Sequence, residues 1–169
     1  MATMEERFME WLRDAHAMER HAETMMSAMA SRIEHYPEVR RRIEQHIDET
    51  RQQAQMLESC IQRRGGDTST FKDLAARFAG MGQGVSGIFV GDEIVKGAMA
   101  SYTFEHMEIA AYGVLIETAD LVGDPETSAI CQRILAQEQT MAAWLGEHLP
   151  SVTRVYLGRE QVSNGEADR

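Results

Sequence analysis

The sequence predicts an all-α protein, a four-helix bundle built from two antiparallel hairpins with a long crossover between them. Three observations predict it. Only 3 prolines occur in 169 residues, and Ala, Met, Glu, Gln and Arg are abundant, a composition that favours helix. Four long stretches repeat their apolar side chains at the helical period. The connections between them run short, long, short, so each outer pair forms a hairpin. The length suits one domain with a sizeable core, expected over residues 1–157. Residues 158–169 are a polar tail, expected to be disordered.

The first helix is expected over residues 5–35. Its apolar row is Phe8, Leu12, Ala15, Ala22, Met26, Met29 and Ile33, and it stops near Pro37. The second covers 38–64, on the row Ile43, Ile47, Thr50, Ala54, Leu57 and Ile61, and ends at Gly65-Gly66. The crossover, 65–91, is expected to hold one short helix over 70–81. Thr70-x-x-Asp73 would cap that helix, and Phe71, Leu74 and Phe78 form its apolar side. Extended chain advances ~3.3 Å per residue, so this segment can return along a bundle ~40 Å long. The third helix is expected over 92–122, with Asp92 as N-cap and Gly123 after its end. The fourth covers 125–149, with Pro125 at its first position and Pro150 as its stop. Two hairpins joined by one long crossover is the ferritin-like way to build four helices.

Charge narrows the function. The net charge is −10, and the only basic run, Arg40-Arg41-Arg42, sits among glutamates. That argues against a nucleic-acid or anionic-membrane partner. No apolar run approaches the ~20 residues that span a bilayer. The acidic, polar start MATMEERFME is unlike a secretory signal, so the expected compartment is the cytoplasm. Cys60 and Cys131 fall on apolar helical positions and read as buried thiols. There is no glycine-flanked serine elbow and no phosphate loop.

The chemistry lies in glutamates that interrupt the apolar rows. Glu19 occupies the middle of the first row, and Glu138 stands between Ile134 and Met141 on the fourth helix. Glu105 and Glu108 are in register with Ala98, Ser101, Tyr112 and Leu115 on the third. On the second helix His46 and Glu49 lie beside the seam, on an edge that continues through Gln53, Met56 and Cys60. Glu19 precedes Glu49 by 30 residues, and Glu108 precedes Glu138 by 30, so each hairpin pairs its glutamates at matching height. One glutamate per helix thus converges at mid-bundle. Several unpaired buried carboxylates are too costly to keep, and arginines are scarce near these seams. A pair of divalent metal ions supplies the missing charge, and hard oxygen ligands suit Fe, Mn, Mg or Ca better than Zn or Cu, with Fe or Mn the expected pair. His16 and His46 each lie three residues before a seam glutamate, as Glu105 does. His16 reads equally as a supporting or a surface residue. Tyr112 is either a hydrogen-bond donor to a ligand or a packing residue. His21, His35, His106 and His148 fall off the seams and read as surface residues.

Three stretches resemble a known family: Phe104-Glu-His-Met-Glu-Ile-Ala-Ala-Tyr112, Trp11-Leu-Arg-Asp-Ala-His-Ala-Met-Glu19 and Ile43-Glu-Gln-His-Ile-Asp-Glu-Thr50. They look like the bacterial YciE/YciF stress proteins. Asp92-Glu-Ile-Val-Lys96 and Met141-Ala-Ala-Trp-Leu145 point to the YciE branch. The resemblance covers residues 5–157. It implies a ferritin-like fold, a dinuclear metal site in the bundle, a role in bacterial stress and a homodimer. It carries over as metal ligands Glu19, His46, Glu49, Glu105, Glu108 and Glu138. The wider superfamily often has Glu-x-x-His on its second and fourth helices. Here those positions read Glu49-x-x-Gln52 and Glu138-x-x-Met141, which makes the site richer in carboxylate and puts ferritin-type iron oxidation in doubt. Three functions stay open: dimetal redox chemistry on O₂ or a peroxide, metal sequestration without turnover, and a structural or interaction role that keeps a relic site.

Overall fold

The computed structural model describes residues 1–67 and 93–163. Among them the helices are α1 (Met4–Arg32), α2 (Pro37–Arg63), α3 (Glu93–Leu121) and α4 (Pro125–Ser163). The short helix expected over 70–81 and the expected cap at Asp92 lie outside the described residues.

Each helix begins or ends for a local reason. Thr3 and Glu6 form a capping box on α1: Glu6 N–H donates to Thr3 Oγ1 at 3.1 Å, and Thr3 N–H donates to Glu6 Oε2 at 2.7 Å. Pro37 opens α2, where its missing N–H costs nothing. Past the ends of α2 and α3, Gly65 and Gly123 adopt φ of 75° and 73°, a left-handed turn that disfavours a side chain. Asp124 caps α4 by accepting from Thr127 N–H at 3.1 Å, just before Pro125.

One expected boundary is wrong. The fourth helix does not stop at Pro150 but runs through it to Ser163, into the segment expected to be tail. Val152 and Tyr156, one turn apart, are buried beside Ile33, Tyr36 and Val39. That burial outweighs the backbone hydrogen bond that proline removes.

Contacts fix the topology. Met29 near the end of α1 packs on Gly97 near the start of α3, where a Cβ would come within 2.9 Å of Met29 Cε. Glu19 meets Tyr112 further along, so α1 and α3 are antiparallel. Arg63 at the end of α2 pairs with Asp124 at 2.9 Å, and Glu38 at its start lies 3.6 Å from His148, so α2 and α4 are antiparallel too. It follows that α2 and α3 run in the same direction. The crossover therefore connects opposite ends of the bundle, which is the ferritin-like arrangement.

The core comes in two halves. One gathers Phe8, Leu12, Leu57, Ile61, Leu115 and Ile134. The other gathers Met26, Ile43, Ile47, Ile94, Met141 and Leu145. Between them all four helices contribute buried polar side chains.

Candidate metal centre

The polar belt holds Glu19 from α1, His46 and Gln53 from α2, Glu105 and Glu108 from α3, and Glu138 from α4. None is more than 2 % exposed. Helical geometry explains the grouping: positions three, four or seven apart share a face, as Glu105 with Glu108 and His46 with Gln53 do. Each helix turns that face inward because its flanking rows are apolar.

His46 lies at the centre of the contacts. Its Nε2 lies 3.2 Å from Glu105 Oε2 and 3.4 Å from Glu138 Oε2, and neither approach has the alignment of a good hydrogen bond. One ligand atom from each of His46, Glu105 and Glu138 falls within 4.8 Å of the others. The other ring nitrogen, Nδ1, lies 2.8 Å from Glu49 Oε2. A carboxylate on the far nitrogen is how metal-binding imidazoles are commonly oriented.

The remaining residues close the belt. Tyr112 O–H donates to Glu19 Oε1, and Gln53 Nε2 donates to Glu138 Oε1. Glu19 Oε2, Glu105 Oε2, Glu108 Oε1 and Glu138 Oε2 are buried with no hydrogen-bond partner among the described residues. Orphaned buried oxygens are expensive, and two of these four, on Glu105 and Glu138, belong to residues that with His46 could hold a metal ion.

Electrostatics agree. Burial pushes Glu19 well above the usual carboxylate range, and the nearby Glu138 charge adds to it. Glu108 is raised in the same way, by burial and then by Glu19 and Glu138. Burial raises Glu105 to about 7 against the pull of His46. For His46 burial works against charge, but the close carboxylates of Glu105, Glu138 and Glu49 outweigh it and push the imidazole up to about 12. Without metal, the belt thus holds one imidazolium among carboxylates that resist ionising together.

The positions named from the sequence fare differently. His46, Glu105 and Glu138 are brought together, while Glu19 and Glu108 are buried in the same belt and feel the charge of Glu138 without joining that group. Glu49 is turned outward, its side chain 21 % exposed, and is held by His46, by Gln45 Nε2 at 2.9 Å and by Arg42 Nη1 at 3.3 Å. The hydrogen bond from His46 holds its carboxyl down to about 2. Tyr112 is a hydrogen-bond donor to Glu19. His16 is buried, and burial lowers its pKa against the pull of Glu58. Met141 belongs to the apolar half-core beside the belt. Gln52 is exposed on the outer face of α2. The adjacent Gln53 takes the inward place, seven residues after His46 and therefore on its face. The edge His46, Glu49, Gln53 was the signal for it, and the spacing Glu-x-x-His pointed one residue too early. His106 is exposed, packing edge-on to Tyr102 with ring centroids 4.6 Å apart. Cys60 and Cys131 are buried free thiols.

Comparison with known proteins places the chain. The family described as "Domain of unknown function (DUF892)" matches residues 3–158. A solved structure of a Xanthomonas campestris protein is 45% identical, with a TM-score of 0.81, covering 94% of this chain and 99% of that one. The Escherichia coli stress protein YciF is 17% identical with a TM-score of 0.71, over 88% of this chain and 96% of its own. YcfI from Rhodopseudomonas palustris is 21% identical with a TM-score of 0.68, over 86% and 94%. The last two share the fold. The protein thus joins a ferritin-like bundle to a buried His/Glu cluster, and it belongs to the DUF892 family, in keeping with the YciE/YciF resemblance.

Proposed function

We propose that the belt binds two divalent metal ions, Fe or Mn, and that the protein carries out redox chemistry on O₂ or a peroxide in a stress response. The observation that carries this reading is the set of four orphaned carboxylate oxygens around His46. One imidazole nitrogen among several carboxylates is a hard, oxygen-rich donor set, which suits these metals. His46, Glu105 and Glu138 would hold one ion. Glu19 and Glu108, each raised by the charge of the other or of Glu138, would hold the second. Two redox metals held there would supply the electrons for chemistry on an oxygen substrate and a clamp for its oxygens.

The chain's own residues do the rest. Glu49 orients the His46 ring so that Nε2 faces the carboxylates. Gln53 fixes one oxygen of Glu138 and leaves the other facing inward. Tyr112 directs its own hydroxyl proton at Glu19 Oε1, a hydrogen bond that strengthens as the carboxylate gains charge. The apolar halves above and below keep bulk water out of the belt. YciF is described as a stress protein, which supports a protective role. The protein acts in the cytoplasm as a homodimer. The exposed apolar residues Met99, Val114 and Leu121, all on α3, support the dimer.

Iron and manganese analysis after aerobic and anaerobic reconstitution, with anomalous scattering at the belt, tests the reading. Two metal positions at mid-bundle are expected, and a metal-free belt under every condition refutes it. Should metal bind without turnover on peroxide or O₂, the belt is a sequestering or relic site. A dimer on a sizing column excludes a storage shell.

A further inference from the structure

A buried metal site must exchange its ions with solvent, and polar side chains mark the way. Two chains of them lead out of the belt, both on the side where α2 faces α4. One runs from His46 to Glu49 and on to Arg42 and Gln45. The other runs from Glu138 to Gln53, whose Nε2 also donates to Gln137 Oε1 at 3.2 Å. Exposure grows along each. His46 and Gln53 are fully buried, Gln137 is half-buried, and Gln45 is exposed. On the opposite side Glu19 ends at Tyr112, which is itself fully buried.

We propose that divalent cations enter and leave along this α2–α4 side, with Glu49 as the capture carboxylate and Arg42 as the counter-charge an arriving cation displaces. The inference rests on the metal-site reading above. Among the described residues, Glu49 is the one carboxylate that touches both His46 and a partly exposed cation. Arg42 reaches it by a single contact at 3.3 Å, and its side chain is 11 % exposed. A hydrated divalent ion that replaces the guanidinium at Glu49 keeps the carboxylate compensated throughout. From there the imidazole is the next donor inward, and the Gln53 and Gln137 amides offer oxygens in place of lost waters. Attraction to a carboxylate at the mouth raises the rate of capture, and a guanidinium beside it opposes that rate.

Stopped-flow uptake of Co(II) by the full metal-free chain tests this, read from the visible absorbance that ligation produces. Metal content at equilibrium is measured alongside. Glu49→Gln keeps an acceptor for His46 Nδ1 and removes only the charge. It is expected to slow loading by about tenfold or more, with a smaller loss of final metal content than Glu138→Gln shows. Arg42→Gln is expected to speed loading. Arg51→Gln, in the surface pair with Glu23, is expected to load like the parent. Equal rates for Glu49→Gln and the parent overturn the proposal. So does a loss of final metal content in Glu49→Gln equal to that in Glu138→Gln, because Glu49 is then a ligand. If the parent takes up no cobalt at all, the metal-site reading itself falls.

Discussion

At the scale of single residues, Tyr112 is where the site and the core meet. Its ring packs with Phe8 and Leu115, and its hydroxyl is the hydrogen-bond donor to Glu19. Removing only the hydroxyl leaves a buried carboxyl without that donor, which costs about 1–3 kcal/mol. Tyr112→Phe is therefore expected to lower the stability of the metal-free protein by that amount in urea unfolding. No change would mean that Glu19 is satisfied some other way. Asp124 gives a second test, far from the belt. It caps α4 and pairs with Arg63 and with Arg64 at 2.7 Å. Burial opposes its charge, but Thr127 and the two arginines outweigh burial and hold its pKa below the usual 3.8. A depressed carboxylate stabilises the fold above its unfolded pKa, and that stability drains away as pH falls through the acid range. Asp124→Asn keeps the cap and loses the charge. It should be less stable than the parent at pH 7, and the gap should narrow below pH ~4 as the parent's advantage is lost. Gln53 shows what the sequence hid at this scale. A period of 3.6 assigns a face only to within tens of degrees, so the choice between Gln52 and Gln53 needed the actual rotation of α2.

At the scale of elements, the four helices were legible because each keeps one apolar row over many turns, and a row broken once by glutamate is conspicuous. The end of α4 was not legible. Proline is the strongest local stop signal, and only tertiary burial of Val152 and Tyr156 reveals that the helix continues. The outward turn of Glu49 was hidden for a similar reason, since Gln45 and Arg42 compete for it from one and two turns earlier on the same helix. Continuing through Pro150 has a cost, because a proline in a helix interior costs about 3 kcal/mol relative to alanine. Pro150 is exposed, so its replacement disturbs no packing. Pro150→Ala is expected to raise stability by about 1–3 kcal/mol, part of the gain being offset by a freer unfolded chain. Thermal unfolding of the two proteins compares them directly. A variant less stable than the parent would mean that the proline shapes α4 in a way the fold requires.

At the scale of the molecule, the belt is a division of the core that folding alone would not select. Leucines in place of Glu19, Glu105, Glu108 and Glu138 would join the two apolar halves into one. The belt instead buries four carboxyls with a single imidazole to oppose them. In the metal-free state this costs stability, because burial and mutual repulsion hold protons on groups that would otherwise ionise. On the metal-site reading proposed above, a bound cation would release those protons and convert the cost into affinity. Two expectations follow from the same physics and must hold together. Saturating the parent with Mn(II) or Fe(II) at a hundred times its dissociation constant should add about 2.7 kcal/mol per site. For a chain of this length that raises the melting temperature by roughly 5–10 °C per site, reversed by a chelator. The double variant Glu19→Ala, Glu108→Ala removes two of the opposed charges and should be at least as stable as the metal-free parent, even though each truncation leaves a cavity. It should also lose most of the metal-induced rise. A double variant that melts lower than the metal-free parent and still gains the full increment on metal addition would show that these two glutamates support the fold and hold no ion.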